Sequence, residues 1–71
     1  MKLKQLLYVL DCANITICYA GFGERIYKGS LSGSIPKHAL EYYVTLVTPI
    51  NHDNIYVEVH ENEHFIVRGE E

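Results

Sequence analysis

Leucines at helical spacing open the chain. The four that follow the i, i+3, i+4, i+7 pattern of an amphipathic helix are Leu3, Leu6, Leu7 and Leu10. Polar residues fill most of the positions between them, and a turn-favouring stretch from Asp11 to Asn14 ends the pattern. The sequence therefore predicts a short N-terminal helix with one apolar stripe.

The pattern then changes to the two-residue period of β-strands. Residues 14–20 alternate in this way and, after a glycine-containing turn, residues 25–31 resume the alternation, which predicts a hairpin. Gly29 inside the second segment predicts a bulge or a bend, because glycine weakens a regular strand. Residues 42–48 and 55–60 form a second pair of predicted strands, joined by a tight turn of asparagine, histidine and aspartate.

A short helix and an ambiguous tail complete the pattern. Ser34 is placed to cap a helix over residues 36–41, with Pro36 in its first turn, where the missing N–H costs nothing. Residues 64–68 have strand propensity. They are expected either to form a fifth strand or to lie across a partner subunit.

These elements predict an α+β fold, with an N-terminal helix packed on an antiparallel sheet of four to five strands. One small domain is expected to span residues 1–71. The chain is 48% hydrophobic and 21% charged, which is typical of globular proteins. The residues predicted to form its core are Leu6, Leu10, Ile17, Leu46 and Val57.

The size of the chain favours self-association. A chain of 71 residues buries only about 60% of the surface that its unfolded form exposes. A core this small usually needs a disulfide, a metal ion or a partner chain for further stability. Cys12 and Cys18 would close only a short loop, and both are expected to be reduced thiols. We therefore predict a homo-oligomer, most simply a dimer.

Charge and hydropathy restrict the classes of partner. The net charge is −3, and residues 36–71 contain seven acidic residues against two basic ones. An acidic chain is a poor non-specific ligand for nucleic acid, whose affinity comes mainly from lysine and arginine. No apolar run reaches the roughly 20 residues that span a bilayer, and no cleavage site follows the N-terminal leucines. A cytoplasmic location without a membrane partner is expected.

Histidines and carboxylates near the C-terminus are candidate metal ligands, since imidazole and carboxylate suit Zn²⁺ or Ni²⁺. The residues concerned are His52, His60, His64, Glu61 and Glu63. The four-residue spacing of His60 and His64 would place them on one face of a helix, but the segment has the pattern of a strand and a turn. No metal site and no cofactor are predicted.

The cysteines do not predict catalysis. Cys12 and Cys18 lack the CxxC spacing of zinc or redox motifs. A thiol nucleophile also needs a base within reach and an oxyanion site, for which a chain of this length has little room. Cys18 alternates with core positions and is expected to be a small buried hydrophobe. We expect no catalytic residue and no enzymatic activity.

Tyrosine is abundant, with six in 71 residues and no tryptophan. Tyrosine is enriched at protein interfaces because it joins a large apolar ring to a polar tip. Tyr56 alternates with a predicted core face, so it is the first candidate for the dimer interface, together with Phe65 and Val67 of the tail.

A basic and aromatic hairpin supplies an alternative function. Arg25, Tyr27 and Lys28 are the one place where an aromatic residue has basic neighbours. Base stacking beside phosphate contacts requires that combination. The alternative is a small nucleic-acid-binding protein that uses these three residues.

Four segments resemble a known group of proteins. They cover residues 6–11, 23–29, 35–36 and 53–59, with the sequences LLYVLD, GERIYKG, IP and DNIYVEV. The chain resembles the short, acidic, mostly uncharacterised proteins encoded by phages and mobile elements of Gram-positive bacteria. The resemblance implies a non-enzymatic interaction protein that binds a host or phage protein, such as an anti-defence (anti-CRISPR) inhibitor. It implies no site residue, because the shared segments mark turns, a helix start and a strand.

Overall fold

Two short helices and four strands follow one another in the computed structural model, which describes residues 1–21 and 23–62. In chain order they are α1 (Leu3–Val9), β1 (Asn14–Tyr19), β2 (Arg25–Ser30), α2 (Lys37–Leu40), β3 (Tyr43–Asn51) and β4 (Asn54–His60). The predicted α+β class, with an N-terminal helix on a sheet, is confirmed. Over these residues, neither helix has the length and apolar character needed to cross a membrane.

The sheet has the strand order β2-β1-β4-β3. The hairpins β1–β2 and β3–β4 are antiparallel, as predicted, whereas β1 and β4 run parallel in the centre. The sheet is therefore mixed. The reason is the connection through α2, which carries the chain from one edge of the sheet to the other, so that β4 returns between β3 and β1. Local sequence patterns reveal strands but do not reveal this order.

The core lies between α1 and the central strands. Cross-strand partners place their side chains on the same face of a sheet, so Ile17 and Val57 meet directly across the parallel pair. The buried residues of this cluster are Leu3, Leu6, Ile15, Ile17, Ala39, Val57 and Val59. The predicted burial of Leu6, Ile17 and Val57 is confirmed. Leu10 is half-buried and packs against the margin of the core.

The predicted burial of Leu46 is wrong, since 43% of this residue is exposed. The register of β3 shifts between Val44, which pairs with Val59, and Leu46, which pairs with Glu58. Thr45 is thus an extra residue, and a bulge of this kind interrupts the alternation of faces. Leu46 consequently lies on the face opposite α1, while Val44 still packs against the core.

A second bulge lies in β2, but not at Gly29 as predicted. Ile17 pairs with Tyr27 and Cys18 pairs with Arg25, so the extra residue is Ile26. Gly29 keeps its regular place opposite Ile15. The bulge lets two consecutive residues, Ile26 and Tyr27, both pack against the core.

Helix α2 is shorter than predicted, and Ser34 does not cap it. Pro36 occupies the N-cap position, without a side-chain hydrogen bond. The backbone N–H of Tyr42 donates to the carbonyl of Ala39 at 3.1 Å as the helix ends. The turn of α2 brings His38 and Tyr42 to the end of the sheet where β3 begins.

The first residues of the chain pair with the beginning of β3. The N–H of Leu3 donates to the carbonyl of Tyr42 at 2.8 Å, and the N–H of Val44 donates to the carbonyl of Met1 at 2.8 Å. These bonds hold α1 against one end of the edge strand.

Two lysines reinforce this attachment. Lys2 and Lys4 approach the carboxylate of Glu41 at 3.0 and 2.9 Å. The hydrogen bonds from Lys4 and then Lys2 hold the pKa of Glu41 below its ordinary value. Exposed ion pairs contribute little free energy, so they guide the position of α1 more than they stabilise it.

The fifth strand predicted over residues 64–68 lies outside the described residues, as do Phe65 and Val67. That strand and the part of the interface assigned to these two residues stay predictions.

The two leucines with opposite burial give a matched test of the core. We expect Leu6→Ala to lower the free energy of unfolding by about 2–5 kcal/mol, because it leaves a cavity beneath α1. Leu46→Ala removes the same atoms from an exposed site and should cost less than about 1 kcal/mol. Urea denaturation followed by circular dichroism measures both. Equal losses would contradict this assignment of the core.

Candidate functional site

A cleft of about 360 Å³ lies at the end of the sheet where β1 and β4 both finish. The residues that line it define what we call the aromatic cleft: Tyr19, Glu24, Ile26, His38, Tyr42 and Glu61. Ligands often bind at the carboxyl ends of parallel strands, and this cleft lies at the carboxyl ends of the one parallel pair in the sheet. It is the candidate functional site.

The β1–β2 turn positions one wall of the cleft. The N–H of Tyr19 donates to the carbonyl of Glu24, and the N–H of Gly23 donates to the carbonyl of Tyr19, each at 2.9 Å. A side chain at position 23 would not fit, because its Cβ would lie 2.8 Å from the Cβ of Tyr19. The β2 bulge adds Ile26 to the lining of this wall.

Aromatic rings form the opposite wall. The rings of Tyr19 and Tyr42 meet edge to face, with centroids 6.1 Å apart and planes at 77°. His38 meets Tyr42 in the same manner at 5.8 Å and 74°, and His60 lies 5.0 Å from Tyr19. Edge-to-face contacts are favourable because the positive edge of one ring meets the negative face of another. Each ring is therefore held in place by a neighbouring ring.

The carboxylates of two glutamates lie in the lining of the cleft. Glu24 and Glu61 contribute carboxylates to its lining, and no lysine or arginine belongs to the lining within the described part of the chain. Desolvation, followed by the charge of Glu61 and the neighbouring Tyr42, raises the pKa of the Tyr19 phenol. The arrangement disfavours a further negative charge at this end of the sheet.

His60 borders the cleft through the contact of its ring with Tyr19. Its Nδ1 accepts a hydrogen bond of 2.9 Å from the backbone N–H of Asn62. This bond fixes the orientation of the imidazole ring beside Tyr19.

The opposite face of the sheet contains a buried carboxylate. We call this the reverse face; it carries Thr16, Cys18, Tyr56 and Glu58, which are register partners in β1 and β4. Glu58 is only 2% exposed. Its Oε2 accepts a hydrogen bond of 2.6 Å from the hydroxyl of Tyr56, and its Oε1 accepts one of 3.4 Å from the N–H of Gly21.

Tyr56, the first candidate for the dimer interface, is half-buried and uses its hydroxyl within its own chain. The hydrogen bond to Glu58 is the main reason why the pKa of Tyr56 lies above its ordinary value. Burial and the neighbouring Cys18 raise this pKa further. The residue therefore has a structural role in β4, whether or not its ring also contacts another molecule.

The basic hairpin does not form one surface. Arg25 and Lys28 pair with residues of the reverse face, whereas Tyr27 pairs with Ile17 on the side of α1. The Tyr27 hydroxyl donates to the carbonyl of Ser30 at 2.7 Å. A ring that packs against the core, facing away from both cations, does not offer a stacking platform beside them.

The candidate metal ligands are dispersed. His52 lies in the β3–β4 turn, 3.3 Å from Asp53, whereas His60 lies at the far end of β4. His64 and Glu63 are outside the described residues. Within residues 1–21 and 23–62, no group of three or more histidine, cysteine or acidic side chains is arranged to hold a metal ion. Cys12 and Cys18 are free thiols and half-buried.

Sequence reasoning missed the cleft. Its residues come from the end of β1, the β1–β2 turn, β2, α2 and the positions just before β3 and just after β4, so no motif joins them. The abundance of tyrosine was the one signal that pointed towards it. The burial of Glu58 was not predicted either, because its position in an alternating strand predicts exposure to solvent.

Comparison with known proteins found no matching family model, no similar curated protein and no similar solved structure. The phage or mobile-element origin inferred from sequence segments therefore stays a prediction.

Removal of the Tyr56 hydroxyl tests the buried pair. We expect Tyr56→Phe to lower the free energy of unfolding by about 1–3 kcal/mol, because it deprives a buried carboxylate of its hydrogen-bond donor. Tyr8→Phe is the matched control, since Tyr8 is 90% exposed on α1. Urea denaturation at neutral pH compares the two variants, and equal stabilities would show that the hydrogen bond contributes nothing.

The same phenol predicts a dependence of stability on alkaline pH. The pKa of Tyr56 is raised above its ordinary value of 10.0 in the folded chain, so the folded state holds this proton more tightly than the unfolded state. The resulting stabilisation is complete below about pH 10 and is lost as the pH rises towards the folded pKa. Urea denaturation between about pH 9 and 11 should show a smaller decline for Tyr56→Phe than for the parent chain. An identical decline would contradict the assignment.

Proposed function

We propose that this chain is a non-enzymatic interaction protein and that its contact surface is the second half of strand β3. This segment, residues 46–51, is called the outer half of β3 below. The observation that carries the proposal is the exposure of three large apolar residues on this strand. Leu46, Val47 and Ile50 are 43%, 41% and 60% exposed. Leu46 pairs with Glu58 on the reverse face and Val47 pairs with Val57 on the α1 face, so a partner strand that adds beside β3 would contact apolar side chains on both faces of the sheet.

The geometry of the fold leaves this half of β3 uncovered by α1. With seven residues, α1 is about 10 Å long, whereas the nine residues of β3 extend for about 30 Å. The N-terminal residues pair only with the beginning of β3, up to Val44. Beyond that point, none of the described strands continues the sheet.

The occupant that we propose is a second copy of this chain, paired through β3. Edge strands commonly avoid such pairing by means of lysine or other charges, but residues 43–51 contain no charged side chain. The features of the strand that oppose pairing are Pro49, which lacks an N–H, and the register shifts between Val44 and Leu46 and between Pro49 and Asn51. A homodimer formed in this way adds apolar burial to a small core.

The anti-defence role belongs to the same proposal. Its support is the sequence resemblance, together with the acidic net charge of −3. We propose that the protein acts in the bacterial cytoplasm by binding a host or phage protein, without catalysis. Within residues 1–21 and 23–62, the hairpin does not favour the nucleic-acid alternative, because Tyr27 faces away from Arg25 and Lys28.

Multi-angle light scattering during size exclusion tests the dimer. We expect the mass of two chains at micromolar concentration, and the mass of one chain for Ile50→Lys, because each copy would then bring a charged side chain into the apolar contact, and a lysine on an edge strand disfavours pairing with another chain. Tyr8→Lys places the same charge on an exposed apolar residue of α1 and should remain dimeric. The mass of one chain for the parent at all concentrations would refute the dimer, and a dimeric Ile50→Lys would refute β3 as its surface.

A further inference from the structure

We infer that the aromatic cleft binds an organic cation, namely the alkylammonium or guanidinium group of a ligand such as a lysine or arginine side chain. This site is distinct from the outer half of β3 and goes beyond the proposed function. It rests on the shape of the cleft, the orientation of its rings and the sign of its charge.

The rings provide surfaces that attract a cation. An ammonium or guanidinium group within about 6 Å of a ring centroid is attracted to the negative face of the ring. Tyr19, Tyr42 and His38 all line the cleft, and the rings of Tyr19 and Tyr42 stand almost perpendicular, at 77°. Ile26 supplies an apolar contact for the alkyl part of the ligand.

The carboxylates of the lining determine the sign of the charge that the ligand must carry. Glu24 and Glu61 both line the cleft and are exposed, so a cation can reach either carboxylate from solvent. A carboxylate in a ligand would be repelled by both. A neutral alkyl group would gain the apolar contact but neither charge interaction.

The size of the cleft limits the ligand to a small group. A volume of about 360 Å³ lies near the lower end of the range of about 300–1,000 Å³ for small-molecule sites. That space suits the end of one side chain, with its stem directed towards solvent, better than a folded substrate. Desolvation and, after it, the charge of Glu61 raise the pKa of the Tyr19 phenol, and a cation in the cleft would offset the second of these two effects.

Titration followed by NMR tests the site with four probes. They are tetramethylammonium chloride, the blocked amides of lysine and arginine, and blocked norleucine amide, which is the neutral analogue of lysine. We expect the best cation to bind at least about tenfold more tightly than norleucine, with shift changes centred on Tyr19, Tyr42 and Glu61. Binding should weaken as salt increases.

Two variants and two controls locate the binding. Tyr42→Leu should weaken cation binding at least about tenfold by removing one ring. Glu61→Gln should weaken it about threefold or more by removing one exposed charge. The matched controls, Tyr8→Leu on α1 and Asp11→Asn at the other end of β1, should bind like the parent chain. Glu61→Gln changes only an exposed side chain, so the test holds even if Tyr42→Leu fails to fold.

Each outcome decides the inference. Binding of the blocked lysine or arginine amide supports the site with a lysine or arginine side chain as its ligand, whereas binding of tetramethylammonium alone supports it with a small quaternary ammonium ion as its ligand. Equal affinities for lysine and norleucine probes, absence of binding, or equal effects of Glu61→Gln and Asp11→Asn would overturn it. A dimer that fails to bind cations would leave the proposed function standing.

Discussion

The parallel pairing of β1 with β4 is the interaction on which the rest of the structure depends. Each strand belongs to its own antiparallel hairpin, and this pairing alone joins the two hairpins into one sheet. It places Ile17 beside Val57 on one face and Cys18 beside Glu58 on the other. The first contact anchors the core beneath α1, and the second builds the buried polar cluster of the reverse face. Because the two strands end together, their last residues also define the position of the aromatic cleft.

Three register shifts interrupt the sheet, one in β2 and two in β3, and the β2 bulge and the first β3 bulge place side chains that the structure uses. In β2, the extra residue Ile26 keeps both itself and Tyr27 against the core and brings an aliphatic side chain to the cleft. In β3, the extra residue Thr45 turns Leu46 away from the core and onto the reverse face. One bulge thus contributes to the candidate binding site, and the other contributes to the apolar surface of the edge strand. A single inserted residue has this effect because the side-chain period of a strand is two.

Local pattern was sufficient for the elements but not for their arrangement. The leucine spacing predicted α1 almost to its ends, and alternation identified Ile17 and Val57 as core residues. The predicted burial of Leu46 was wrong because an alternating pattern assumes a strand that contains no bulge. Glu58 looks like a solvent-facing residue in the sequence, yet Tyr56 and the Gly21 backbone satisfy its carboxylate where it is buried. The residues of the cleft lie as far apart as Tyr19 and Glu61, and only the crossover through α2 brings them together.

The crossover also makes the two halves of the chain depend on each other for folding. A two-stranded hairpin is marginal in water by itself, and β1 finds its parallel partner only after a long stretch of chain that begins with β2 and includes α2 and β3. Closing so large a loop carries an entropic cost, which the chain recovers only when both hairpins dock on α1 together. The mixed order of the strands therefore gives a cooperative unit without an independently stable half, although each hairpin is local in sequence.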